Sequence, residues 1–257
     1  MKQMYKKVKI MLLSFVAVLF CLSINAHAGK IVLANDEWTL SNSGFFSPND
    51  PGVFATNVGS WFTGGSTGNF LAYSSNFGLT QSSLANAMTS AGNAWTVSTA
   101  VPFTLATLQS YDAVFLSGNS ASNSVLIDYV NAGGNVYLAG GTGWGGSVAE
   151  ANQWKAFLNN FGLGFGTYYN GIAGSIAIDN SHPIFAGVDH LYQNNGNDAL
   201  DILALDPQST VLVSYNGHGL YAVYESYTPP TVPEPSTFVL LAAGLAGAGF
   251  FVRRRKK

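Results

Sequence analysis

The sequence has little cysteine and little charge. One cysteine, Cys21, occurs among 257 residues, and Asp, Glu, Lys and Arg together make up 9% of the chain. Because Cys21 lies in an apolar N-terminal stretch, the rest of the chain has no thiol for a disulfide bond, for nucleophilic catalysis or for a thiolate metal site. The folded part must therefore be held together by its hydrophobic core.

Cations are scarcer still in the middle of the chain. Between residues 29 and 231, Lys30 and Lys155 stand against twelve Asp and Glu, so this segment carries a net charge of 2 − 12 = −10, whereas the whole chain carries −2. A protein needs several Lys or Arg side chains to neutralise the phosphates of a nucleic acid. We therefore predict no nucleic-acid partner and a polar surface made mostly of Asn, Ser, Thr and Gly.

Motifs for metal and phosphate sites are also lacking. His182, His190 and His218 do not have the spacing of a zinc-binding pair. The glycine-rich run 140–146 does not lead into the Gly-Lys-Ser/Thr sequence of a phosphate-binding loop. We predict neither a metal nor a cofactor.

The N-terminus is basic and then apolar. Four lysines within the first nine residues precede an apolar stretch over residues 10–24, and the small residues Ala26 and Ala28 flank His27. This order is typical of a secretory signal peptide over residues 1–28, cleaved after Ala28 to leave Gly29 as the first residue. The alternative is an uncleaved N-terminal anchor.

The C-terminus has three parts. Val232, Pro233, Glu234 and Pro235 come first, an apolar run over residues 236–252 follows, and five cations over residues 253–257 end the chain. A helix over that apolar run is about 25 Å long, the short end of what a bilayer core requires. Consecutive Arg and Lys do not cross a membrane readily. The pattern predicts a transmembrane helix over 236–252 with its cations in the cytoplasm and the upstream chain on the far side.

These three parts together resemble the PEP-CTERM sorting signal. The resemblance covers about the last 26 residues and includes the Pro233-Glu234-Pro235 triplet, the short Gly- and Ala-rich span and the terminal Arg cluster. It implies a Gram-negative envelope protein that an exosortase-type membrane peptidase recognises and cleaves near the triplet. It also implies an association with exopolysaccharide and biofilm. The alternative is an ordinary C-terminal anchor that is never cut.

Short apolar runs alternate with helical patterns in the central part of the chain. Strands are predicted over 30–34, 69–73, 95–98, 112–117 and 135–139, and helices over 53–62, 80–91, 105–108, 122–132 and 148–161. Further strands are predicted at 168–169 and 175–178, and a closing hairpin over 211–225. This alternation predicts an α/β domain over residues 29–227, with a single open, mainly parallel sheet covered by helices on both faces. A Pro-rich linker over 228–231 would join it to the sorting signal over 232–257.

A second resemblance concerns residues 71–188. The runs YDAVFLSG, LIDYVNAGGNVYLAGG and HPIFAGV are similar to the class I glutamine-amidotransferase-like fold, in particular its ThuA-like relatives. In amidotransferases of that fold, the strand corresponding to 135–139 leads into a sharp turn that bears the catalytic Cys. Here the turn reads Gly140-Gly141-Thr142. Glutaminase chemistry by that route is therefore excluded.

Candidate ligand-binding residues follow the predicted strands, because ligands of open α/β sheets gather at the carboxyl ends of the strands. Asp36 and Glu37 follow the first strand and could bind a hard cation or act in acid–base catalysis; the plainer alternative is a pair of solvated loop carboxylates. Gly141, Thr142 and Trp144 follow the fifth predicted strand, where glycine amides and an aromatic ring could face a sugar; the alternative is backbone packing beside the sheet. The oxygen-rich stretch 194–201 has the composition of a calcium loop without its helix–loop–helix pattern.

Two functions are compatible with these patterns. The first is an exported, non-enzymatic envelope or extracellular-matrix protein, transiently anchored by residues 236–252 in the inner membrane, that meets an exosortase-type peptidase and polysaccharide. The second is a glycan-directed hydrolase on an amidotransferase-like scaffold that lacks the Cys nucleophile. A hydrogen bond between Asp36 or Glu37 and His182 or His218 in one pocket would favour the second.

Overall fold

The computed structural model of the protein describes residues 29–203 and 208–226. All of them belong to one compact unit, which ends at Ser226. The segments predicted as signal peptide, linker and sorting signal lie outside the described residues. Within the described ranges, no helix is both long enough and apolar enough to cross a membrane.

A seven-stranded sheet forms the centre of the fold. In spatial order its strands are β10 (Ser209–Tyr215), β11 (His218–Glu225), β1 (Lys30–Ala34), β5 (Asn135–Ala139), β4 (Ala113–Ser117), β2 (Asn69–Tyr73) and β3 (Ala94–Val97). The five strands from β1 to β3 in this order run parallel, and the hairpin β10–β11 adds two antiparallel strands beside β1. The predicted α/β class with a large, mainly parallel sheet is confirmed.

Helices cover both faces of the sheet. They are α1 (Pro51–Thr63), α2 (Phe77–Thr80), α3 (Ser82–Ser90), α4 (Leu105–Leu108), α5 (Asn123–Asn131) and α6 (Ser147–Asn159), with 3-10 turns at Glu37–Leu40 and Pro183–Phe185. The strands β4 and β5 are buried along their whole length. Their side chains alternate between a core under α1, α2 and α3 and a second core under α4, α5 and α6. The near-continuous apolar runs in the sequence follow from burial on both faces.

The expectation of a single sheet is wrong. Two further two-stranded sheets occur among the described residues: β6 (Leu163–Tyr169) pairs with β9 (Asn197–Asp201), and β7 (Ala173–Ala177) pairs with β8 (His190–Asn194). Their strands carry polar residues that are buried, Gln193 and Asn197 among them. Burial of these amides removes the apolar pattern on which strand prediction depends.

The helix predicted over 80–91 is divided in the structure. Asn76 caps the short helix α2 by accepting a hydrogen bond from the backbone N–H of Gly78 at 2.7 Å. The helix α3 then begins at Ser82, and Thr80 is the last residue of α2. The cap at Asn76 therefore starts a separate short helix upstream of the predicted one.

The first and last described strands are neighbours. Strand β1 pairs with β11 so that Lys30 lies opposite Glu225. The ammonium of Lys30 is 3.1 Å from a carboxylate oxygen of Glu225 and 4.5 Å from the centre of the Trp61 ring. The chain therefore enters and leaves this domain on two paired strands.

Candidate functional site

The candidate residues lie where the parallel strands β1, β2, β4 and β5 end. Because parallel strands end at one edge of the sheet, the segments that follow β1 and β5 meet there, as expected. The edge is covered by the turn between β8 and β9, whose Asn197 N–H donates to the carbonyl of Asn35 at 3.0 Å. The candidate site is therefore enclosed by the protein's own chain.

Asp36 is fully buried at the end of β1. One carboxylate oxygen accepts a hydrogen bond from the N–H of Trp38 at 2.8 Å and caps the 3-10 turn, and the other accepts from the N–H of Asn194. Burial raises the pKa of Asp36 to about 6 despite these two donors. This carboxyl fastens the end of β8 to the end of β1.

Glu37 is 5% exposed and faces the segment after β2. Its carboxylate accepts a hydrogen bond from the side-chain amide of Asn76. The centres of the Trp38 and Phe77 rings lie 4.7 Å apart, edge to face, in the residues next to this contact. Burial, with a smaller contribution from the negative charge of Asp36, raises the pKa of Glu37 to about 7. The alternative of solvated loop carboxylates is wrong for both Asp36 and Glu37.

A third carboxyl group, that of Glu150, lies at the same ends of the strands. The sequence does not predict it. It lies on α6 and is 1% exposed. It accepts a hydrogen bond from the Thr142 hydroxyl at 2.6 Å and from the Thr142 N–H at 3.2 Å. Burial raises the pKa of Glu150. A lone Glu on a helix gives no sequence signal, although its eight-residue separation from Thr142 fits a strand–turn–helix unit.

The three carboxyls influence one another through their charges. Glu150 raises the pKa of both Asp36 and Glu37 by its charge. In the part of the chain that the structure describes, the ammonium of Lys30 is paired with Glu225, away from this edge. The arrangement can hold and exchange protons near neutral pH. The carboxyl groups are nevertheless shut away from solvent and bonded to parts of the fold.

The turn at Gly140 and Gly141 is closed. Gly141 has a φ of +70°, and a Cβ added there would lie 2.7 Å from the Cα of Gly196 and 3.0 Å from the carbonyl oxygen of Asn35. A side chain at Gly141 would therefore collide with backbone. Residue 141 in this turn must therefore be glycine.

Trp144 lies on the outside of this turn and is 44% exposed. It borders a shallow depression next to the C-terminal ends of the parallel strands. The depression is lined by Gly118, Asn119, Thr142, Trp144, Glu150, Gln153 and Trp154. The exposed ring and the backbone of the glycine-rich turn are thus available to a ligand at the surface. The structure brings Thr142 and Trp144 together but turns Asp36 and Glu37 inward.

No described histidine contacts Asp36 or Glu37. The Nδ1 atom of His218 lies 3.0 Å from each carboxylate oxygen of Asp198. The Nδ1 atom of His182 accepts a hydrogen bond from the N–H of Ile184 at 3.4 Å and caps a 3-10 turn. The hydrogen bond that would favour a hydrolase is therefore not formed by these residues.

The calcium-loop interpretation of residues 194–201 is wrong. Asn197, Asp198 and Asp201 belong to strand β9. The carboxylate of Asp198 accepts hydrogen bonds from His218 and Tyr168, and that of Asp201 accepts from Ser209. Across residues 29–203 and 208–226, no group of three His, Cys, Asp or Glu side chains is arranged to hold a metal ion.

One hydrolase-like spacing occurs outside the candidate site. Residues 64–68 read Gly-Gly-Ser-Thr-Gly, which has the Gly-x-Ser-x-Gly spacing of a serine nucleophile turn. That motif functions between a strand and a following helix. Here it joins the end of α1 to the start of β2, at the opposite edge of the sheet. The order helix–turn–strand found here is the reverse of the strand–turn–helix order in which the motif positions a nucleophile.

Comparison with known proteins assigns the C-terminal end of the chain. A family model described as the PEP-CTERM protein-sorting motif matches residues 231–256. No curated protein and no solved structure matches the chain, so the amidotransferase-like resemblance of the core stays a prediction. The matched residues include Pro233, Glu234 and Pro235 and most of the terminal cations. The chain therefore carries the PEP-CTERM sorting motif, which supports an exported protein that exosortase sorts.

Proposed function

We propose that the mature protein is a non-enzymatic component of the cell envelope or extracellular matrix that associates with exopolysaccharide in a biofilm. Residues 1–28 direct export, and residues 232–257 hold the protein in the inner membrane until the exosortase-type peptidase cuts near Pro233-Glu234-Pro235. Residues 29–227 are the part delivered. The match of the sorting motif to residues 231–256 supports the route.

The carboxyl groups at the C-terminal ends of the parallel strands support a non-enzymatic function, because they bind other parts of the fold. Asp36, Glu37 and Glu150 are at most 5% exposed, and each accepts hydrogen bonds from groups of the fold itself. Catalytic acids and bases must reach a substrate. In this fold the three carboxyls join elements of the structure instead.

Exposed aromatic side chains favour a polysaccharide as the partner. Trp144 is 44% exposed and Tyr168 is 54% exposed. The hydroxyl of Ser147 donates to the carbonyl of Thr167 at 2.9 Å, so the segments that carry the two rings are adjacent. Aromatic rings provide apolar faces for the C–H groups of sugar rings. The acidic charge of the domain favours a neutral polysaccharide over an anionic one.

A single-residue change tests the sorting route. Glu234→Gln leaves the apolar span and the basic end intact but removes the carboxylate of the triplet. In the producing bacterium we expect it to retain the C-terminal segment, while the unchanged chain loses it. Asp206→Asn, a matched loss of one carboxylate upstream of the motif, is the control. Mass spectrometry of both ends of the protein reads the outcome, and identical C-termini for Glu234→Gln and the unchanged chain would refute the route.

Binding to polysaccharide is tested separately. We expect Trp144→Ala to lower co-sedimentation with the exopolysaccharide of the producing cells. Val148→Ala removes another exposed apolar side chain four residues away and is the matched control. Equal sedimentation of the two variants and the unchanged protein would rule out this ring as a contact.

The glycan-directed hydrolase is the second candidate, favoured by three neighbouring carboxyls with raised pKa values. If it is correct, Glu37→Gln abolishes the release of reducing ends from the exopolysaccharide, whereas the exposed Asp128→Asn does not. Absence of activity in the unchanged protein rejects this candidate.

A further inference from the structure

The outer edge of strand β3 is open. It is the last strand of the seven-stranded sheet, and in the ranges 29–203 and 208–226 its strand partner is β2 alone. The N–H groups of Ala94 and Ser98 donate to the carbonyls of Gly68 and Ala72 in the segment of β2. Because successive residues of a strand alternate in direction, the backbone N–H and C=O groups of Trp95 and Val97 point away from the sheet.

Nothing in the strand hinders pairing at this edge. Natural sheets protect their edges with charged side chains, proline or β-bulges. The opposite edge, β10, has bulges around Val213. Strand β3 reads Ala-Trp-Thr-Val, pairs with β2 in an unbroken register and exposes 41% of Val97. The two edges of the sheet are therefore built differently, and β3 is the one that can accept a further strand.

The charge distribution identifies the partner. From Pro51 to Tyr111 the sequence contains no Asp, Glu, Lys, Arg or His. This segment comprises α1, β2, α2, α3, β3 and α4, which are the elements at the β3 end of the sheet. The net charge of −10 between residues 29 and 231 arises entirely outside it. Two copies of the domain repel each other over most approaches but meet without like charges at this end.

We propose that the β3 edge is a homotypic interface, at which β3 of one copy pairs antiparallel with β3 of a second copy about a two-fold axis at Thr96. In this register Trp95 of each copy forms a hydrogen-bonded pair with Val97 of the other, so four backbone hydrogen bonds form. The Trp95 and Val97 side chains lie on one face of the strand and form an aromatic–aliphatic pair across the axis. The result is a two-fold symmetric dimer with a continuous sheet of fourteen strands, twice the observed seven.

Disulfide trapping in the full chain, solubilised in mild detergent, tests the register. In a Cys21→Ser background, Thr96→Cys places two thiols opposite each other on the axis, where the two Cα atoms are about 4.5 Å apart, within the range of a disulfide. Thr210→Cys is the matched control, because Thr210 is an exposed threonine on the opposite edge strand. We expect copper–phenanthroline and dissolved oxygen to convert Thr96→Cys to a covalent dimer at least about tenfold faster than Thr210→Cys.

A charge substitution tests the same interface without a covalent bond. We expect Val97→Lys to weaken self-association in sedimentation about tenfold, since the axis brings two substituted strands together. Val148→Lys alters another exposed valine, on α6, and should leave association unchanged. Circular dichroism confirms that both variants fold; if Val97→Lys does not, the trapping experiment decides. Equal trapping at positions 96 and 210, or unchanged association of folded Val97→Lys, overturns the proposal, whatever the fate of the sorting and polysaccharide proposals.

Discussion

Gly196 approaches Gly141 so closely that a Cβ on Gly141 would lie 2.7 Å from the Cα of Gly196. This approach holds the turn between β8 and β9 against the C-terminal ends of the parallel strands in the main sheet. The edge that commonly binds ligands in α/β proteins is thus occupied by the chain itself.

Substitution of Gly141 should destabilise the domain more than its backbone angle alone explains. Gly141→Ala introduces both a left-handed Cβ and a clash with backbone. Gly143→Ala is the matched control, because Gly143 has a φ of +71° and no atom within 4 Å of an added Cβ. We expect Gly143→Ala to lower the free energy of unfolding by about 1 kcal/mol and Gly141→Ala by about 3 kcal/mol. Urea denaturation measures both, and equal losses would contradict the close approach.

The stability of the domain should fall as the pH rises through neutrality because of Glu37. Its pKa is about 7 in the folded chain against 4.5 for an ordinary Glu, so between these values the folded state holds a proton that the unfolded state has lost. This contribution is fully present below pH 4.5 and is lost as the pH rises through 7. We expect a loss of about 3 kcal/mol between pH 4.5 and pH 8.

Glu37→Gln isolates this contribution. The amide oxygen can still accept the hydrogen bond from Asn76, but the group no longer titrates. We expect the pH dependence of the free energy of unfolding, followed by urea denaturation from pH 4.5 to 8, to become shallower. Asp128→Asn, on the exposed side of α5, should retain the original slope. A slope unchanged by Glu37→Gln would show that this carboxyl titrates normally.

The hydroxyl of Thr142 should act as a structural donor to Glu150. Thr142→Val keeps the shape of the side chain but leaves one oxygen of the buried carboxyl without its 2.6 Å donor. We expect a loss of about 1–3 kcal/mol in the free energy of unfolding. Thr142→Ser keeps the hydroxyl and should cost about 1 kcal/mol or less. If Val and Ser are equally destabilising in thermal or urea unfolding, the hydrogen bond contributes nothing.

The sequence predicts the strands of the main sheet well and its buried polar contacts poorly. The predicted strands 30–34, 69–73 and 135–139 agree with the structure residue for residue, because apolar runs bounded by turn residues indicate strands buried on both faces. Strands β8 and β9 contain buried amides instead. The Gln193 side chain donates to the Tyr221 hydroxyl at 2.7 Å, a contact between distant parts of the chain. No local pattern predicts such a partner.

The sequence predicts which strand ends form the candidate site but not how its side chains are buried, because their burial depends on distant parts of the chain. Asp36, Glu37 and Thr142 were predicted from their position after strands, which the topology of a parallel sheet fixes. The burial of Asp36 depends on the segment around Gly196, which folds back from more than 150 residues further along the chain. Glu150 joins them only because α6 packs beside the edge. Residue order therefore indicates which groups meet but not whether they face solvent.

The pairing of β1 with β11 links completion of the fold to the far end of the chain. Strand β1 has β5 on one side, and on the other side it stays unpaired until residues 218–225 are in place. A chain that stops short of His218 lacks β11, so the main sheet ends at β1 with an unpaired edge and β10 has no partner there. In the exported chain, β1 is thus separated from its last partner, β11, by nearly the whole domain. Strand β11 lies shortly before the segment 231–256 that sorts the protein. The sorting signal consequently follows the strand that completes the pairing of β1, so a chain in which β1 still lacks this partner also lacks its sorting signal.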